Sequence, residues 1–170
     1  MLIININGPI NAGKSTICQL LAKDLPDCLF IEVDDLLSDE EQEALNLDFM
    51  GGIMERLGRL DHKIAIEKNA GLYSMILFAY PMTKDNYGRW KKFEDALTNF
   101  VNITLSPSLS VCLTNRGNRE LDAWEKKRIK QMYNEDYHCP KQSDLIIDNT
   151  DQTPEQTAEI IRNFLKKYGI

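Results

Sequence analysis

Long apolar runs are missing from this chain. No stretch approaches the roughly 18 apolar residues that a membrane-spanning helix requires, so no membrane partner is expected. The first residues, Leu2-Ile3-Ile4-Asn5-Ile6-Asn7, do not have the basic-then-apolar order of a secretory leader. They begin directly with a strand, and a cytoplasmic location is expected. A basic excess is also missing: Lys and Arg total 20, Asp and Glu total 26, and the formal net charge is −6. Sequence-independent nucleic-acid binding needs a basic surface, so no nucleic-acid partner is expected. One nucleotide in a local positive pocket stays open. Cysteine is scarce and unpaired in pattern. The four cysteines, Cys18, Cys28, Cys112 and Cys139, form no C-x-x-C. Cys18 and Cys112 fall in apolar elements, so they read as small buried hydrophobes in a reducing compartment rather than zinc ligands or disulfides. The two histidines, His62 and His138, have no ligand spacing around them, and neither is read as a metal ligand or nucleophile. Repeats, low-complexity tracts and linkers are absent. The 170 residues therefore read as one domain, 1–170. A chain of this size buries about 70% of its unfolded surface and folds without covalent staples.

What is present is Gly8-Pro9-Ile10-Asn11-Ala12-Gly13-Lys14-Ser15-Thr16, which reads G-x-x-x-x-G-K-S. A strand-like run precedes it and a helical one, through Leu25, follows, which is the setting a phosphate-binding loop needs. Gly8 and Gly13 stand where a side chain would intrude on a backbone folded around an anion. Amides of the loop, including Asn11, Ala12 and Thr16, and of the new helix's N-terminus would face phosphates. Lys14 adds a point charge for the outer phosphates, and the Ser15 hydroxyl suits Mg²⁺.

The remaining chain alternates strand and helix. Ile17, Leu20, Leu21 and Leu25 repeat at helical spacing, and Pro26-Asp27 ends that helix. Cys28 to Val33 reads as a second strand and is followed by Asp34-Asp35. Ser38 to Asp48 is acidic and helix-prone, Phe49-Met50-Gly51-Gly52 reads as an interruption, and a longer helix is expected from about Ile53 to Asn69, closed by Gly71. Leu72 to Tyr80 reads as a strand buried on both faces and stopped by Pro81. A short helix is expected over Asn86 to Leu97, a fourth strand over Phe100 to Leu105, and a helix opened by Ser106-Pro107-Ser108. Residues 116–133 are strongly charged. Asp144 to Asp148 reads as a fifth strand, and Thr153-Pro154-Glu155-Gln156 as a capping box with proline at the first helical position. Such alternation implies a parallel sheet with helices on both faces and a ligand site at the strands' carboxyl ends. The phosphate loop, Asp34-Asp35 and Tyr80-Pro81 all lie at such ends.

Over nearly its whole length the chain resembles the small P-loop kinases of the shikimate kinase, gluconate kinase and adenylate kinase group. The loop Gly8 to Ser15 carries the resemblance most specifically. Val33-Asp34-Asp35 resembles the substrate-side acid of shikimate kinases and of antibiotic phosphotransferases in the group. Leu113-Thr114-Asn115-Arg116, with Arg119, Asp122, Arg128 and Tyr133, is similar to the lid of adenylate and shikimate kinases, where one arginine stacks on adenine and others hold phosphates. Ile147-Asp148-Asn149-Thr150 is similar to the last strand and adenine-side loop. The resemblance implies a three-layer α/β/α P-loop NTPase fold, a five-stranded parallel sheet and a helical lid at about 116–134. Departures are visible. The third strand ends Phe78-Ala79-Tyr80-Pro81, without the acid that adenylate kinases carry there, and the shikimate-type D-x-D reads D-D-L.

These readings assign roles. Gly8, Asn11, Ala12, Gly13, Lys14, Ser15, Thr16 and Arg116 are expected to bind ATP, and Ser15 to ligate Mg²⁺. Lys14, Asp34 and Arg119 are expected to be catalytic, with Asp34 orienting the acceptor hydroxyl. Asp34, Asp35, Arg56 and Arg128 are expected to face the acceptor. The bland alternatives are first-turn caps for the two aspartates, a helix-surface ion pair with Glu125 or Asp122 for Arg128, and surface charge for Arg59. Trp90 and Trp124 read as packing or lid residues. The function expected is transfer of the ATP γ-phosphate to a hydroxyl of a small molecule. The alternatives are a nucleoside monophosphate kinase and, from another class, a nucleotide-binding switch with slow ATPase activity.

The charge of 116–134 generates a first prediction. Such a segment buries little apolar surface by itself, so its amides should gain hydrogen-exchange protection when nucleotide and Mg²⁺ are added, more than the amides of 154–168 do. Equal protection with and without nucleotide would make the segment a fixed structural element, and Arg119→Ala would then cost little activity.

Overall fold

The computed structural model describes residues 1–115 and 120–169, with all their side chains except those of Lys84 and Asp85. Five strands form one sheet in the order β2-β3-β1-β4-β5, every neighbouring pair parallel. They are β1 (Leu2–Asn7), β2 (Cys28–Ile31), β3 (Met75–Ala79), β4 (Asn99–Leu105) and β5 (Leu145–Ile147). The helices are α1 (Lys14–Asp24), α2 (Asp39–Ala44), α3 (Phe49–Ala70), α4 (Lys84–Lys91), α5 (Leu109–Cys112), α6 (Ala123–Asn134) and α7 (Pro154–Leu165). Among the described residues no helix is long and apolar enough to cross a membrane.

Strand alternation divides the core between the two sheet faces. Leu2, Ile4 and Ile6 of β1 join Leu77, Val101 and Ile103 against Ile17, Cys18 and Leu21 of α1 and Ala158, Ile161 and Leu165 of α7. Ile3, Ile76, Phe78 and Phe100 meet Leu57, Leu60 and Ile64 of α3 on the other face, together with Trp90. Trp90 is fully buried, its ring 5.1 Å from Phe78 and 5.5 Å from Tyr80. It is a packing residue.

Toward the carboxyl ends this second face turns polar while staying buried. Asn5 stands opposite Asn102, and Asn7 opposite Thr104. All four are inaccessible to solvent. The Asn5 amide donates to Asn102 Oδ1 and to the Tyr80 carbonyl, each at 3.0 Å, and its Oδ1 accepts from the Tyr80 N–H at 2.9 Å. Asn7 donates to Thr104 Oγ1 at 2.9 Å and accepts from the Met82 N–H at 2.6 Å. Asn102 donates onward to the Gln142 carbonyl, and Thr104 meets the Ser143 hydroxyl. A buried amide left unpaired costs more than its net bond is worth, so a fully paired ladder fixes its surroundings.

The longest helix differs from its sequence reading. It starts at Phe49 and runs through the Gly51-Gly52 pair. Asp48 caps it, accepting from the Gly51 N–H at 2.7 Å, which satisfies a first-turn donor. Gln42 of α2 lies over Gly52, where an added Cβ would come within 2.3 Å of its Oε1. The glycine admits a neighbouring helix rather than breaking this one. Pro107 precedes the α5 cap, Ser108, instead of entering the first turn. Thr153 and Gln156 make the expected reciprocal capping box.

Replacing Asn5 by Leu would strand Asn102 Oδ1 and the Tyr80 carbonyl in a dry interior. The free energy of unfolding should fall by about 1–3 kcal/mol. Equilibrium urea unfolding reads this directly, and an unchanged midpoint would show that the ladder holds nothing together.

Candidate functional site

The loop between β1 and α1 is shaped by close approach. Gly8 adopts φ 138°, and a Cβ there would lie 2.6 Å from the Leu105 carbonyl oxygen at the end of β4. Asn11 takes a left-handed φ of 65° and Gly13 one of 93°, conformations that Gly and Asn adopt most readily. The Asn11 amide donates to the carbonyls of Cys112 and Thr114, tying the loop to the chain entering the expected lid. Lys14 Nζ donates to the Pro9 carbonyl at 2.7 Å, so its charge lies back along the loop. Helices α2, α3, α6 and α7 are closed at their N-termini by Ser38, Asp48, Asp122 and Thr153. Helix α1 has Gly13 as its cap, no side-chain cap bond and no acid in its first turn. With no capping side chain, the positive end of its dipole favours an outside anion.

A cavity of about 470 Å³ opens beside this helix end, lined by Asn11 to Ile17 on one side and Asn149, Gln152, Pro154 and Thr157 on the other. Asn149 donates to the Ala12 carbonyl at 3.1 Å, which joins the β5–α7 connection to the loop. Its buried Oδ1 has no hydrogen-bond partner among the described residues. An unpaired buried acceptor is costly, and a ligand N–H would satisfy it.

The acid side of the site comes from the end of β2. Asp34 and Asp35 sit in a single 3₁₀ turn, Asp34–Leu36, whose cap is Val33, and both are exposed. The half-buried Glu32 comes just before them, and the Ser15 hydroxyl lies close enough to act on its carboxylate. Burial, then Asp34, then Asp35 push the Glu32 carboxyl above its ordinary range, and the nearby Ser15 hydroxyl opposes them. The donors gathered here are a hydroxyl and carboxylates with surplus negative charge. This all-oxygen set fits Mg²⁺. Tyr80, held by the asparagine ladder, lies close enough to Asp34, Arg89 and Tyr137 for their charges to act on its phenol. Burial is the main cause that raises it.

The other expected residues are found as follows. Arg56 donates to the Leu37 carbonyl at 3.2 Å and lies 4.0 Å from Asp39, so it braces the β2–α2 connection. Arg59 bonds Glu55, Glu41 and the Leu36 carbonyl, a structural brace rather than loose surface charge. Arg128 pairs with Glu135 at 2.9 Å and lies over the Tyr137 ring, instead of pairing with Asp122 or Glu125. Trp124, half-exposed, meets Phe49 edge-on at 6.0 Å and links the start of α6 to the start of α3. Arg116 and Arg119 lie outside the described residues. Of the expected lid, 123–134 is helix α6, with Ile129 and Met132 buried.

Comparison with solved structures follows this geometry. A sugar kinase from Janibacter sp. HTCC2649 aligns with a TM-score of 0.69 at 18% identity, over 97% of this chain and 94% of that one. The APS kinase of Mycobacterium tuberculosis, solved with AMPPNP and APS, aligns with a TM-score of 0.63 at 18% identity, over 96% of each chain. The shikimate kinase of Aquifex aeolicus aligns with a TM-score of 0.59 at 16% identity, over 98% of each. The chain has the P-loop kinase fold. No protein-family model and no curated protein matches its sequence.

Within that fold Glu32 is the site residue that sequence reading passed over. Taking the acid pattern at Asp34-Asp35-Leu36 gave D-D-L. Beginning two residues earlier, Glu32-Val33-Asp34 is acid-x-acid, and that spacing was the available signal. Asn149 was noticed as part of a similar loop, but its orphan oxygen appears only in three dimensions.

The raised Glu32 carboxyl has a pH consequence. A raised folded-state value means the native chain holds this proton more tightly than the unfolded chain does, so its contribution to stability falls as pH rises. Ligand-free stability should therefore decline from the ordinary glutamate value of 4.5 upward through the raised range. Glu32→Gln should flatten that decline and raise the thermal midpoint above pH 6 while lowering turnover. A variant no more stable than wild type there would show that the three acids do not repel one another in the folded chain.

Proposed function

We propose that this chain is an ATP-dependent phosphotransferase that moves the γ-phosphate to a hydroxyl of a small molecule, in the manner of shikimate kinases. The observation that carries the reading is the meeting of Ser15, on the uncapped end of α1, with Glu32 and the neighbouring Asp34 from β2. An anion-binding helix end and an acid cluster are brought to one place by elements distant in sequence. That is the positioning and charge arrangement phosphoryl transfer needs.

In this reading the α1 amides and Lys14 hold the outer phosphates, with Arg116 and Arg119 supplying further positive charge. The base occupies the cavity beside Asn149, whose free Oδ1 accepts from an exocyclic amino group. Ser15 and Glu32 would hold Mg²⁺, which neutralises phosphate charge when bound. Asp34 orients the acceptor hydroxyl and takes its proton, and Asp35, one residue on, shares that wall. Tyr80, Arg56 and Arg128 border the acceptor, which the acid pair favours as a hydroxyl compound over a nucleoside monophosphate.

A screen of metabolites and nucleoside monophosphates for acceptor-dependent ADP release tests the reading. Lys14→Ala should cut turnover by orders of magnitude and leave the fold intact. Asp34→Asn should lower kcat by about 10²–10⁴-fold with little change in ATP affinity, because its partner is the acceptor. ATP hydrolysis that no small molecule stimulates, and that a macromolecular partner does, would replace the kinase by a switch. Loss of melting temperature alone in Asp34→Asn would make that residue structural.

A further inference from the structure

We propose that Asp136, His138 and Cys139 form a binding site for one thiophilic divalent cation of the zinc class, separate from the phosphate loop. The three residues lie in the turn that follows α6. Asp136 adopts a left-handed φ of 58°, which reverses the chain. The Tyr137 N–H returns to the Met132 carbonyl at 3.0 Å and the Cys139 N–H to the Asp136 carbonyl at 3.1 Å. The turn folds the His138 ring onto Tyr133, 4.7 Å between centroids and 19° from parallel, which fixes the imidazole.

The result is three ligand atoms of different chemistry at short range. Cys139 Sγ lies 3.4 Å from His138 Nε2 and 3.9 Å from Asp136 Oδ1. One ligand atom from each residue lies within 4.8 Å of the others. A tetrahedral zinc with ordinary Zn–S, Zn–N and Zn–O bonds separates its sulfur from a nitrogen or oxygen ligand by about 3.5–3.6 Å. The two sulfur separations need adjustments of only a few tenths of an ångström, and the nitrogen-to-oxygen separation, within 4.8 Å, would close further around the ion. Asp136 and Cys139 are exposed, which leaves an approach for the ion and a fourth position for water.

The donor set chooses the metal. A thiolate, an imidazole and one carboxylate favour zinc over magnesium or calcium, whereas the oxygens around Ser15 and Glu32 favour magnesium. The sequence conceals this site because its ligands occupy three of four consecutive positions, without the spaced pairs of familiar zinc motifs. Between them stands Tyr137, whose hydroxyl accepts from Arg128 at 3.4 Å. A bound cation would therefore clamp the turn that holds Arg128 at the end of the expected lid.

Cobalt(II) added to the full chain without nucleotide is the probe. The expected result is one equivalent bound, with a thiolate-to-metal absorption in the near ultraviolet that Zn²⁺ displaces. Cys139→Ser should abolish the absorption. His138→Ala and Asp136→Asn should each weaken binding by about tenfold or more. Cys28→Ser, at a thiol far from the turn in sequence, should leave binding unchanged, and Zn²⁺ should raise the melting temperature of wild type but not of Cys139→Ser. Circular dichroism confirms that each variant is folded. No absorption with wild type, an absorption that survives Cys139→Ser, or one that is lost with Cys28→Ser overturns the proposal.

Discussion

Two asparagines buried in the central strand set the position of much of the site. A side-chain amide placed in a dry sheet is expensive unless every group on it is paired. Asn5 and Asn7 are paired across β1 to β4 and along the backbone that leaves β3. The consequence is positional. Tyr80 and Met82 cannot shift without unpairing a buried amide, and the approach to β5 is held through Asn102, Gln142, Thr104 and Ser143. Gly8 follows directly after this strand, and its contact with the Leu105 carbonyl leaves no room for a side chain. The loop is thus hung from a rigid sheet end, which suits a site whose work is positioning.

The same carboxyl ends gather charge of both signs. Helix α1 offers an uncapped positive end, and the β2 turn offers three acids within four residues, 32–35. Each is unfavourable in isolation: one presents a positive dipole end with no side-chain cap, the other crowds like charges. In the proposed function a phosphate group would answer the first and a divalent cation the second. Ligand and site would then be complementary in charge, and the resting chain would be less stable than with those groups neutralised. Such sites trade stability for function.

Legibility followed sequence range. The phosphate loop was readable because strand, glycines, Lys14 and helix are contiguous. The α7 cap was readable because Thr153, Pro154 and Gln156 are within four positions. The five parallel strands followed from their alternation with helices. The start of α3 was misread because Gly51-Gly52 looked like a break, when Asp48 was already in place as a cap and Gln42 needed the space. Glu32 was missed because a glutamate inside an apolar strand pattern reads as one more outward-facing residue. Its approach to Ser15 joins segments seventeen positions apart. The Glu55 partner of Arg59 is at i,i+4 spacing on the same helix, but no spacing rule would have found Glu41 or the Leu36 and Leu37 carbonyls.

This division has a physical origin that bears on the acceptor. Phosphate is recognised largely by backbone amides and one lysine, so a single local pattern suffices to encode it, and chains less than 20% identical share the fold. The proposed acceptor wall would be made of side chains delivered by the end of β2, by α3, by the β3–α4 connection and by the neighbourhood of α6. Each comes from a different part of the chain, and each is held by its own brace: Arg56 on the Leu37 carbonyl, Arg128 on Glu135, Tyr80 on Asn5. The exposed Arg128–Glu135 ion pair is worth about 0–1 kcal/mol and can be exchanged for ligand contacts at small cost. The buried ladder cannot. In the proposed function, acceptor choice could therefore change by substitution at the braced arginines and at the exposed aspartates while the sheet and phosphate loop stay fixed, which makes the phosphate half of the site the easier half to read.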